Sequence, residues 1–153
     1  MIQAGQERKG WRRSMKLLID ANVLLDVLMN REGFVKASSL VWKLCETRQA
    51  EGYVSALTFA NMVYVMRKEL DPGKIEEILR LLNLIFEFTE LAPADLMAAG
   101  AMQWNDFEDA LQSVTAERVH ADYIVTRNVR DFRRSRIPAY TPSELLAEKW
   151  PGM

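Results

Sequence analysis

The stretch KLLIDANVLLD, residues 16–26, places an acidic side chain directly after a run of aliphatic residues. Met15–Ile19 has the composition of a buried strand, and the spacing of apolar residues predicts a short helix over Ala21–Met29. Asp20 therefore stands where a strand gives way to a helix. A carboxylate in that place adds little stability, but it suits a divalent cation at the carboxyl edge of a parallel sheet, where α/β folds usually bind ligands.

Two later segments repeat this arrangement of polar side chains beside apolar ones. Asp106 and Asp109 stand three residues apart at the start of a predicted helix, so both face the same way on its first turn. Asn128 follows an apolar stretch that predicts a strand over Tyr123–Thr126. In a doubly wound sheet the strands before Asp20 and Asn128 are neighbours, which brings both side chains to one crevice.

The rest of the chain alternates between predicted helices and strands. Further strands are expected at Gly52–Ser55, Ile85–Leu91 and Ile137–Tyr140, the last at an edge because proline cannot donate to a central ladder. Helices are expected over Gly33–Gln49, from Ser55 or Thr58 to Leu70, over Lys74–Leu84, Pro93–Met102 and Phe107–His120, and from the cap Thr141 onward. This alternation predicts an α/β fold with a parallel sheet, right-handed crossovers and helices on both faces.

The composition restricts the chemistry that the chain can carry. About half of its 153 residues are apolar, which is enough for the core of one domain. Cys45 and His120 are the only residues of their types, which excludes a disulfide framework or a zinc site rich in cysteine or histidine. Carboxylates are the abundant hard ligands, and they suit Mg²⁺ or Mn²⁺. The single cysteine, and apolar runs too short to span a bilayer, favour a cytoplasmic protein.

We expect residues 15–150 to form a single domain, preceded by an arm over residues 1–14. The first 16 residues carry five basic side chains and one acidic one, although the net charge of the whole chain is −1. The arm is expected to be extended or disordered, either as a solvated extension or as a contact for RNA. A secretory signal is disfavoured because no apolar segment of the required kind follows directly.

Several of the polar side chains also have a purely structural interpretation. Asp20 is a favoured N-cap for the helix that begins at Ala21, and Asp106 can cap the later helix in the same way. Asp26 is either a supporting acid on the same helix face as Asn22 or a solvated surface residue.

Asn61 is an amide in an otherwise apolar predicted helix, so it is expected to be a buried hydrogen-bonding residue or to orient a ligand. Glu108 is expected to be solvated, and His120 is not favoured as a general base. The segment after Thr126 is either a solvated loop or a surface that binds RNA phosphates, with Asp131 as a reserve carboxylate. Its basic residues are Arg127, Arg130, Arg133, Arg134 and Arg136.

Together these segments resemble the PIN domain, a nuclease fold that includes the VapC-type toxin ribonucleases. The matching stretches occur in the family's order within residues 15–149: Leu18–Asp26, Ser55–Asn61, Asp106–Ala110, Ile124–Phe132 and Ile137–Leu146. The resemblance implies a three-layer α/β/α sandwich, Rossmann-like, on a central parallel sheet of about four to five strands. It also implies Mg²⁺- or Mn²⁺-dependent cleavage of single-stranded or structured RNA.

The resemblance also assigns roles to the polar residues. The metal ligands would be Asp20, Asp106 and Asp109, and these three with Asn128 would form the catalytic set. Supporting roles would fall to Asn22, Asn61, Asp26 and Asp131. Asn61 and Asn128 stand where the family usually has Glu and Asp, although some PIN subgroups resemble this chain in having Asn at both places. An amide oxygen is neutral and a weaker ligand than a carboxylate, and Asp106, Asp131 or Asp26 are the acids that can restore the charge.

The function implied is that of a metal-dependent endoribonuclease, the toxin of a toxin–antitoxin pair. RNA would contact Thr126, Arg127, Arg130, Arg133 and Arg134. The alternative is a PIN-fold module that binds RNA or a protein without cutting, which the amides at the two acidic positions favour. An antitoxin partner and a homodimer are also implied. The methionines at 62, 66, 97 and 102 would supply the protein-binding surface unless they fill the core.

Overall fold

Five parallel strands form the central sheet of the computed structural model, which describes residues 14–152. In the order in which they pair, the strands are β3 (Glu87–Thr89), β2 (Ala50–Ser55), β1 (Met15–Ile19), β4 (Tyr123–Val125) and β5 (Ala139–Tyr140). The chain moves outward from β1 to β3 and then crosses to the other side of β1 for β4 and β5. The strand order therefore reverses between β1 and β4, which is where open α/β sheets bind ligands.

Seven α-helices connect and cover these strands within residues 14–152. They are α1 (Ala21–Leu28), α2 (Val35–Glu46), α3 (Ala56–Met66), α4 (Pro72–Ile85), α5 (Pro93–Met102), α6 (Phe107–Arg118) and α7 (Pro142–Lys149). A short 3₁₀ turn, Val129–Phe132, follows β4.

The two faces of the sheet are covered by different helices. Leu17 and Ile19 of β1 pack into the larger core with side chains of α1, α2, α3, α4 and α7. Leu18 faces the other way and packs with Ala116 of α6. Because successive side chains of a strand point to opposite faces, the apolar strand β1 needs cover on both sides. The predicted three-layer α/β/α sandwich with a central parallel sheet is confirmed.

The predicted strand at Ile85–Leu91 was too long. Ile85 is the last residue of α4, and only Glu87–Thr89 pair with β2. Leu82 and Ile85 stand at helical spacing and both pack into the larger core, together with Phe86. Burial of these side chains extends the helix into a stretch that had alternated like a strand.

The starts of the helices follow their capping residues. Ser55, rather than Thr58, caps α3, since its hydroxyl accepts a hydrogen bond from the backbone N–H of Leu57 at 3.2 Å. The capping box of Thr141 and Glu144 opens α7 as predicted. The helix predicted over Gly33–Gln49 is shorter at both ends, and α2 spans Val35–Glu46.

The methionines proposed as a protein-binding surface have different environments. Met62 and Met66 of α3 are buried in the larger core. Met102 packs against the small apolar cluster between α5 and α6. Only Met97 of the four is strongly exposed, at 76%. Filling of the core therefore explains most of them.

The predicted arm over residues 1–14 lies outside the described residues except for Ser14. Each helix between residues 14 and 152 is too short or too polar to span a bilayer.

Gly52 of β2 provides a test of the packing in the larger core. A Cβ atom at this position would lie 2.7 Å from Cys45 Sγ and 2.5 Å from Phe86 Cδ1, and both neighbours are themselves buried. We expect Gly52→Ala to lower the free energy of unfolding by about 1–3 kcal/mol, as overpacking of a core usually does. Urea unfolding measures this change.

Gly100→Ala is the matched control for that substitution. Gly100 lies in α5 and a Cβ there would meet no atom within 4 Å, so alanine should raise the free energy of unfolding by about 0.5–1 kcal/mol. Equal effects of the two substitutions would contradict the tight approach of β2 to Phe86.

Candidate functional site

Asp20 connects three parts of the fold through its carboxylate. It is the N-cap of α1, and its Oδ1 accepts a hydrogen bond from the backbone N–H of Ala21 at 2.8 Å. Its Oδ2 accepts from the hydroxyl of Thr126, just after β4, at 2.8 Å. The amide of Gln112 on α6 donates to Oδ1 at 3.4 Å. The capping interpretation is correct, and the same carboxylate is held at the edge of the sheet where a ligand would bind.

The ends of β1 and β4 meet as the sequence predicts. The two strands pair in parallel, with Ile19 opposite Val125. Asn22 accepts a hydrogen bond from the backbone N–H of Arg127 through its Oδ1, at 3.3 Å. Asn128 is exposed, and its backbone N–H donates to Thr126 Oγ1 at 3.0 Å. The polar residues after both strands therefore lie at the same edge of the sheet.

Asp109 is the carboxyl at this edge whose pKa is most strongly shifted. Asp106 caps α6 by accepting the backbone N–H of Asp109 at 3.1 Å, so both carboxylates lie on the first turn. The pKa of Asp109 is raised to about 7, first by burial and then by nearby negative charges. In decreasing order of effect, these charges are those of Asp106, Asp131, Asp20 and Glu108. Asp106 and Glu108 lie beside Asp109 on the first turn of α6, whereas Asp20 and Asp131 come from distant segments and are brought to it by the fold.

Asp109 lines two adjoining surface depressions of different character. One has a volume of about 240 Å³ and is lined by Asp106, Asp131 and the side chains of Arg130, Arg133 and Arg134. We call it the arginine-lined depression. The other has a volume of about 360 Å³, and its lining includes Asp20, Leu57, Asn61, Tyr64 and Glu108. We call it the Tyr64 depression. A phosphate group and a cation could therefore meet at Asp109, between positive and negative side chains.

The carboxylates fit a hard cation that keeps much of its water. Among residues 14–152, no three Asp, Glu, His or Cys side chains converge closely enough to hold an ion by themselves. Mg²⁺ is commonly held by one or two carboxylates, several waters and substrate phosphates. Asp20 and Asp109 line the same depression. The raised pKa of Asp109 has two causes, burial and the neighbouring carboxylates, and a cation would neutralise the second. These two aspartates are the candidate ligands. Asp106, the third ligand expected from the sequence, lines the arginine-lined depression instead and adds charge beside them, as does Asp131.

Asp26 is not a solvated residue and does not belong to this cluster. Its side chain is completely buried, and Ser38 donates to Oδ2 at 2.9 Å. Arg31 and Arg127 form ion pairs with it at 3.7 and 3.4 Å. Its charge is balanced by these two guanidinium groups, so the prediction that Asp26 supports the metal charge lacks a structural basis.

Two of the predicted RNA contacts are structural residues instead. Thr126 is completely buried between Asp20 and Asn128 and has no surface to offer to RNA. Arg127 is held on buried Asp26, and its guanidinium lies 4.0 Å from the ring centroid of Phe34. The exposed Arg130, Arg133 and Arg134 do line the depression beside Asp109. Arg136 points elsewhere and pairs with Glu117 at 3.7 Å.

Asn61 and Glu108 form a pair that sequence reasoning missed. The Asn61 side-chain amide donates to Glu108 Oε2 at 3.1 Å, across 47 positions of sequence. Asn61 is half-buried rather than buried, and Glu108 lies in the Tyr64 depression rather than facing away from the site. Gln112 was also missed, although its spacing of three residues from Asp109 places both on one helix face.

Other titratable residues lie away from this edge. His120 follows the carboxyl end of α6, whereas Asp106 and Asp109 stand at its amino end. Asp122 precedes β4 and accepts the backbone N–H of Lys16 at 2.8 Å. It therefore belongs to the opposite end of the strand from Asn128.

Comparison with known proteins identifies one family and several similar structures. A family model described as the PIN domain matches residues 16–130. One similar chain belongs to a toxin–antitoxin complex from Klebsiella pneumoniae, with a TM-score of 0.61 and 20% identity over 82% of this chain and 97% of that one. FitAcB from Neisseria gonorrhoeae gives a TM-score of 0.65 and 16% identity over 84% and 99% of the two chains. VapBC-1 from nontypeable Haemophilus influenzae gives a TM-score of 0.63 and 15% identity over 84% of this chain and 99% of that one. At these identities the likeness shows the fold, and no curated protein matches the sequence significantly.

The raised pKa of Asp109 predicts how stability depends on pH in the absence of metal. The pKa is about 7 in the folded protein against an ordinary value of 3.8, so the folded state favours the protonated carboxyl. The stability that the protonated Asp109 carboxyl gives the folded state is therefore fully present below about pH 4. It is lost as the pH rises through about 7. We expect Asp109→Asn to have a higher melting temperature than the wild type at pH 8 in EDTA, and a smaller advantage at pH 5.

Glu46→Gln serves as the control, because it removes an exposed carboxylate on α2, outside the cluster. A melting-temperature difference for Asp109→Asn that does not grow between pH 5 and pH 8 would rule out the raised pKa of Asp109.

The structural role of Arg127 makes a separate prediction. Arg127→Ala leaves the buried Asp26 with a weaker set of partners, so the free energy of unfolding should fall by about 3 kcal/mol. Arg133→Ala removes an exposed arginine and should change it by less than about 0.5 kcal/mol. Unfolding in guanidinium chloride measures the free energy of unfolding of both variants. Equal stability of both variants would return Arg127 to the set of candidate RNA contacts.

Proposed function

Because this chain belongs to the PIN domain family, we propose that it is a metal-dependent endoribonuclease that hydrolyses RNA phosphodiester bonds. We further propose that it is the toxin of a toxin–antitoxin pair. The observation that carries the nuclease proposal is the position of Asp109. It shares a depression with Asp20 where the strand order reverses, and it lies close enough to Asp106 and Asp131 for their charges to raise its pKa. A site that gathers negative charge next to exposed arginines suits a phosphodiester substrate and a divalent cation.

The cation would be Mg²⁺ or Mn²⁺, with Asp20 and Asp109 as its candidate ligands. When bound, such an ion supplies a water of lowered pKa and positive charge opposite the phosphate. Thr126 and Gln112 hold the Asp20 carboxylate in place by hydrogen bonds. The N-cap hydrogen bond from the backbone N–H of Ala21 also restricts its orientation. Asp106 is held by its own role as the N-cap of α6 and would act on the ion through its charge.

The substrate would be held by the arginine-lined depression. Arg130 and Arg133 are exposed there, with Asp131 between them in sequence. Arg134 is steadied by a hydrogen bond from its guanidinium to the carbonyl of Met102 at 3.2 Å. Guanidinium groups bind phosphate by charge-assisted hydrogen bonds, so these residues would fix the RNA backbone beside Asp109. Asn22 and Asn128 lie at the same edge and would orient waters or phosphate oxygens.

The toxin part of the proposal is supported by the similar structures. Those cited above include a toxin–antitoxin complex, FitAcB and VapBC-1. By analogy, an antitoxin protein and a second copy of this chain would be the partners. Exposed apolar side chains are available for such contacts, among them Leu84 at 72% and Met97 at 76%.

We also propose that residues 15–150 act as a single domain in the cytoplasm. One sheet with its two covering layers accounts for the described elements in this range. The free Cys45 is buried and its pKa is raised by burial to about 12, which keeps it as an unreactive thiol.

The second candidate is a PIN-fold module that binds RNA or a protein without cutting. Asn61 and Asn128 favour it, because both are neutral at positions that are usually acidic in the family. The absence of three converging ligand side chains among residues 14–152 points the same way. Binding of metal and cleavage of RNA therefore have to be measured separately.

The nuclease proposal is tested with Asp20→Asn and Asp109→Asn. Each should reduce Mn²⁺-dependent cleavage of single-stranded RNA by about 100-fold or more, because each removes a fixed charge from the reacting centre. Asp20→Asn should stay folded, since asparagine caps helices as well as aspartate does. Glu76→Gln removes an exposed carboxylate on α4 that pairs with Arg80, and it should cut like the wild type.

Equal cleavage by the wild type and both aspartate variants would reject the metal assignment. Calorimetric titration with Mn²⁺ separates the two candidates. The nuclease should bind the ion in the wild type and more weakly in either variant. A folded wild type that binds no Mn²⁺ at millimolar concentration would favour the module that does not cut.

A further inference from the structure

An exposed aromatic side chain stands beside the acidic site without a role in metal or phosphate binding. Tyr64 of α3 is 67% exposed and lines the Tyr64 depression. The guanidinium of Arg67 lies 3.9 Å from its ring centroid, and Arg67 Nη1 donates to the Tyr64 carbonyl at 2.7 Å. The ring is therefore supported by a cation on one face while it remains open to a ligand.

The Tyr64 depression has an apolar wall and a polar wall. Leu57, Tyr64 and Val65 form the apolar one, and Val65 is itself 51% exposed. Asp109 and Glu108 belong to the polar one. Its volume of about 360 Å³ is near the lower limit of small-molecule pockets, about 300 Å³, which suits a single planar ring system.

We propose that the Tyr64 depression binds one unpaired nucleobase of the RNA, stacked on Tyr64, next to the phosphate held at Asp109. This inference rests on the proposed function, because it places the base beside the reacting phosphate. Aromatic stacking of splayed bases is the usual way in which proteins bind single-stranded RNA. The arginine-lined depression and the Tyr64 depression share Asp109, so a backbone in the first can place a base in the second.

The polar wall selects the kind of base. Most of the side-chain amide N–H groups are already used: Gln112 donates to both Thr58 and Asp20, and Asn61 donates one of its two N–H groups to Glu108. The groups that remain are mainly acceptors, including the carboxylate of Glu108. A base with an exocyclic amino group offers two N–H donors to such a wall, whereas uracil offers a single ring N–H between two carbonyl oxygens. Cytosine should therefore be preferred to uracil.

A protein helix is the less suitable occupant of this depression. Its apolar side chains would cover Leu57 and Val65, but they would also remove the carboxylates of Glu108 and Asp109 from water without pairing them. The free-energy cost of burying these unpaired charges exceeds the stabilisation from the apolar contacts. An RNA strand brings amino groups and, with a cation, positive charge to the same carboxylates.

Fluorescence anisotropy with labelled 12-nucleotide oligocytidylate and oligouridylate tests the proposal. The measurement is made in EDTA and low salt, so that metal-dependent hydrolysis cannot consume the probe. The wild type should bind oligocytidylate about fivefold more tightly than oligouridylate, the usual effect of one hydrogen bond. Tyr64→Ala should weaken binding of oligocytidylate about tenfold, as loss of one stacked base does. Tyr64→Phe keeps the ring and should stay within about twofold of the wild type.

Two further variants complete the experiment. Leu81→Ala removes an exposed apolar side chain on α4, outside the Tyr64 depression, and should bind like the wild type. Glu108→Ala should lower the ratio of the affinity for oligocytidylate to the affinity for oligouridylate. A general change in charge affects both affinities alike and leaves this ratio unchanged. Wild-type RNA binding that Tyr64→Ala leaves unchanged would overturn the proposal and assign the aromatic surface to a protein partner. No detectable binding of either probe would overturn it as well.

These outcomes are independent of cleavage. A wild type that fails to cut RNA but shows the predicted loss in Tyr64→Ala would refute the nuclease and retain the base-binding site. A wild type that cuts RNA, with Tyr64→Ala and Tyr64→Phe binding equally, would retain the nuclease and refute the base-binding site.

Discussion

The parallel pairing of β1 with β4 is the constraint on which the candidate site depends. It places Asp20, at the end of one strand, within 2.8 Å of the Thr126 hydroxyl at the end of the other. The same carboxylate caps α1 and accepts from Gln112 of α6, so helices on opposite faces of the sheet are tied to one side chain. Movement of either strand would break these hydrogen bonds of Asp20 at the same time. A site built on this junction is rigid because its support is the core of the fold.

Charge is distributed unequally around this junction, and the two kinds of acid behave differently. Asp26 is buried but compensated by Arg31 and Arg127, so it serves as an internal anchor for the loop after β4. Asp109 is half-buried and surrounded by other carboxylates, which raises its pKa to about 7. A protein that needed only stability would pair the second acid as it pairs the first. The uncompensated charge of Asp109 is therefore the feature that most favours a function at this edge.

The sequence predicted the main parts of the site because local patterns carry them. An acid after an apolar strand marked Asp20, and two acids three residues apart at a helix start marked Asp106 and Asp109. Local pattern could not assign Arg127, because its partner Asp26 is 101 positions away in the chain and reaches it only in the folded state. For the same reason the sequence could not show that Glu108, which is solvated as expected, lies in the Tyr64 depression and accepts a hydrogen bond from Asn61.

The sequence by itself determined the layers of the fold, the order of the elements and the acids at the sheet edge. Apolar periodicity and capping residues act between near neighbours, so they can be read along the chain. Only the tertiary structure decided which charges are compensated, which arginines face the site and that Tyr64 borders the acids. Those outcomes depend on contacts between distant segments, where burial and the distance between charges set the energy.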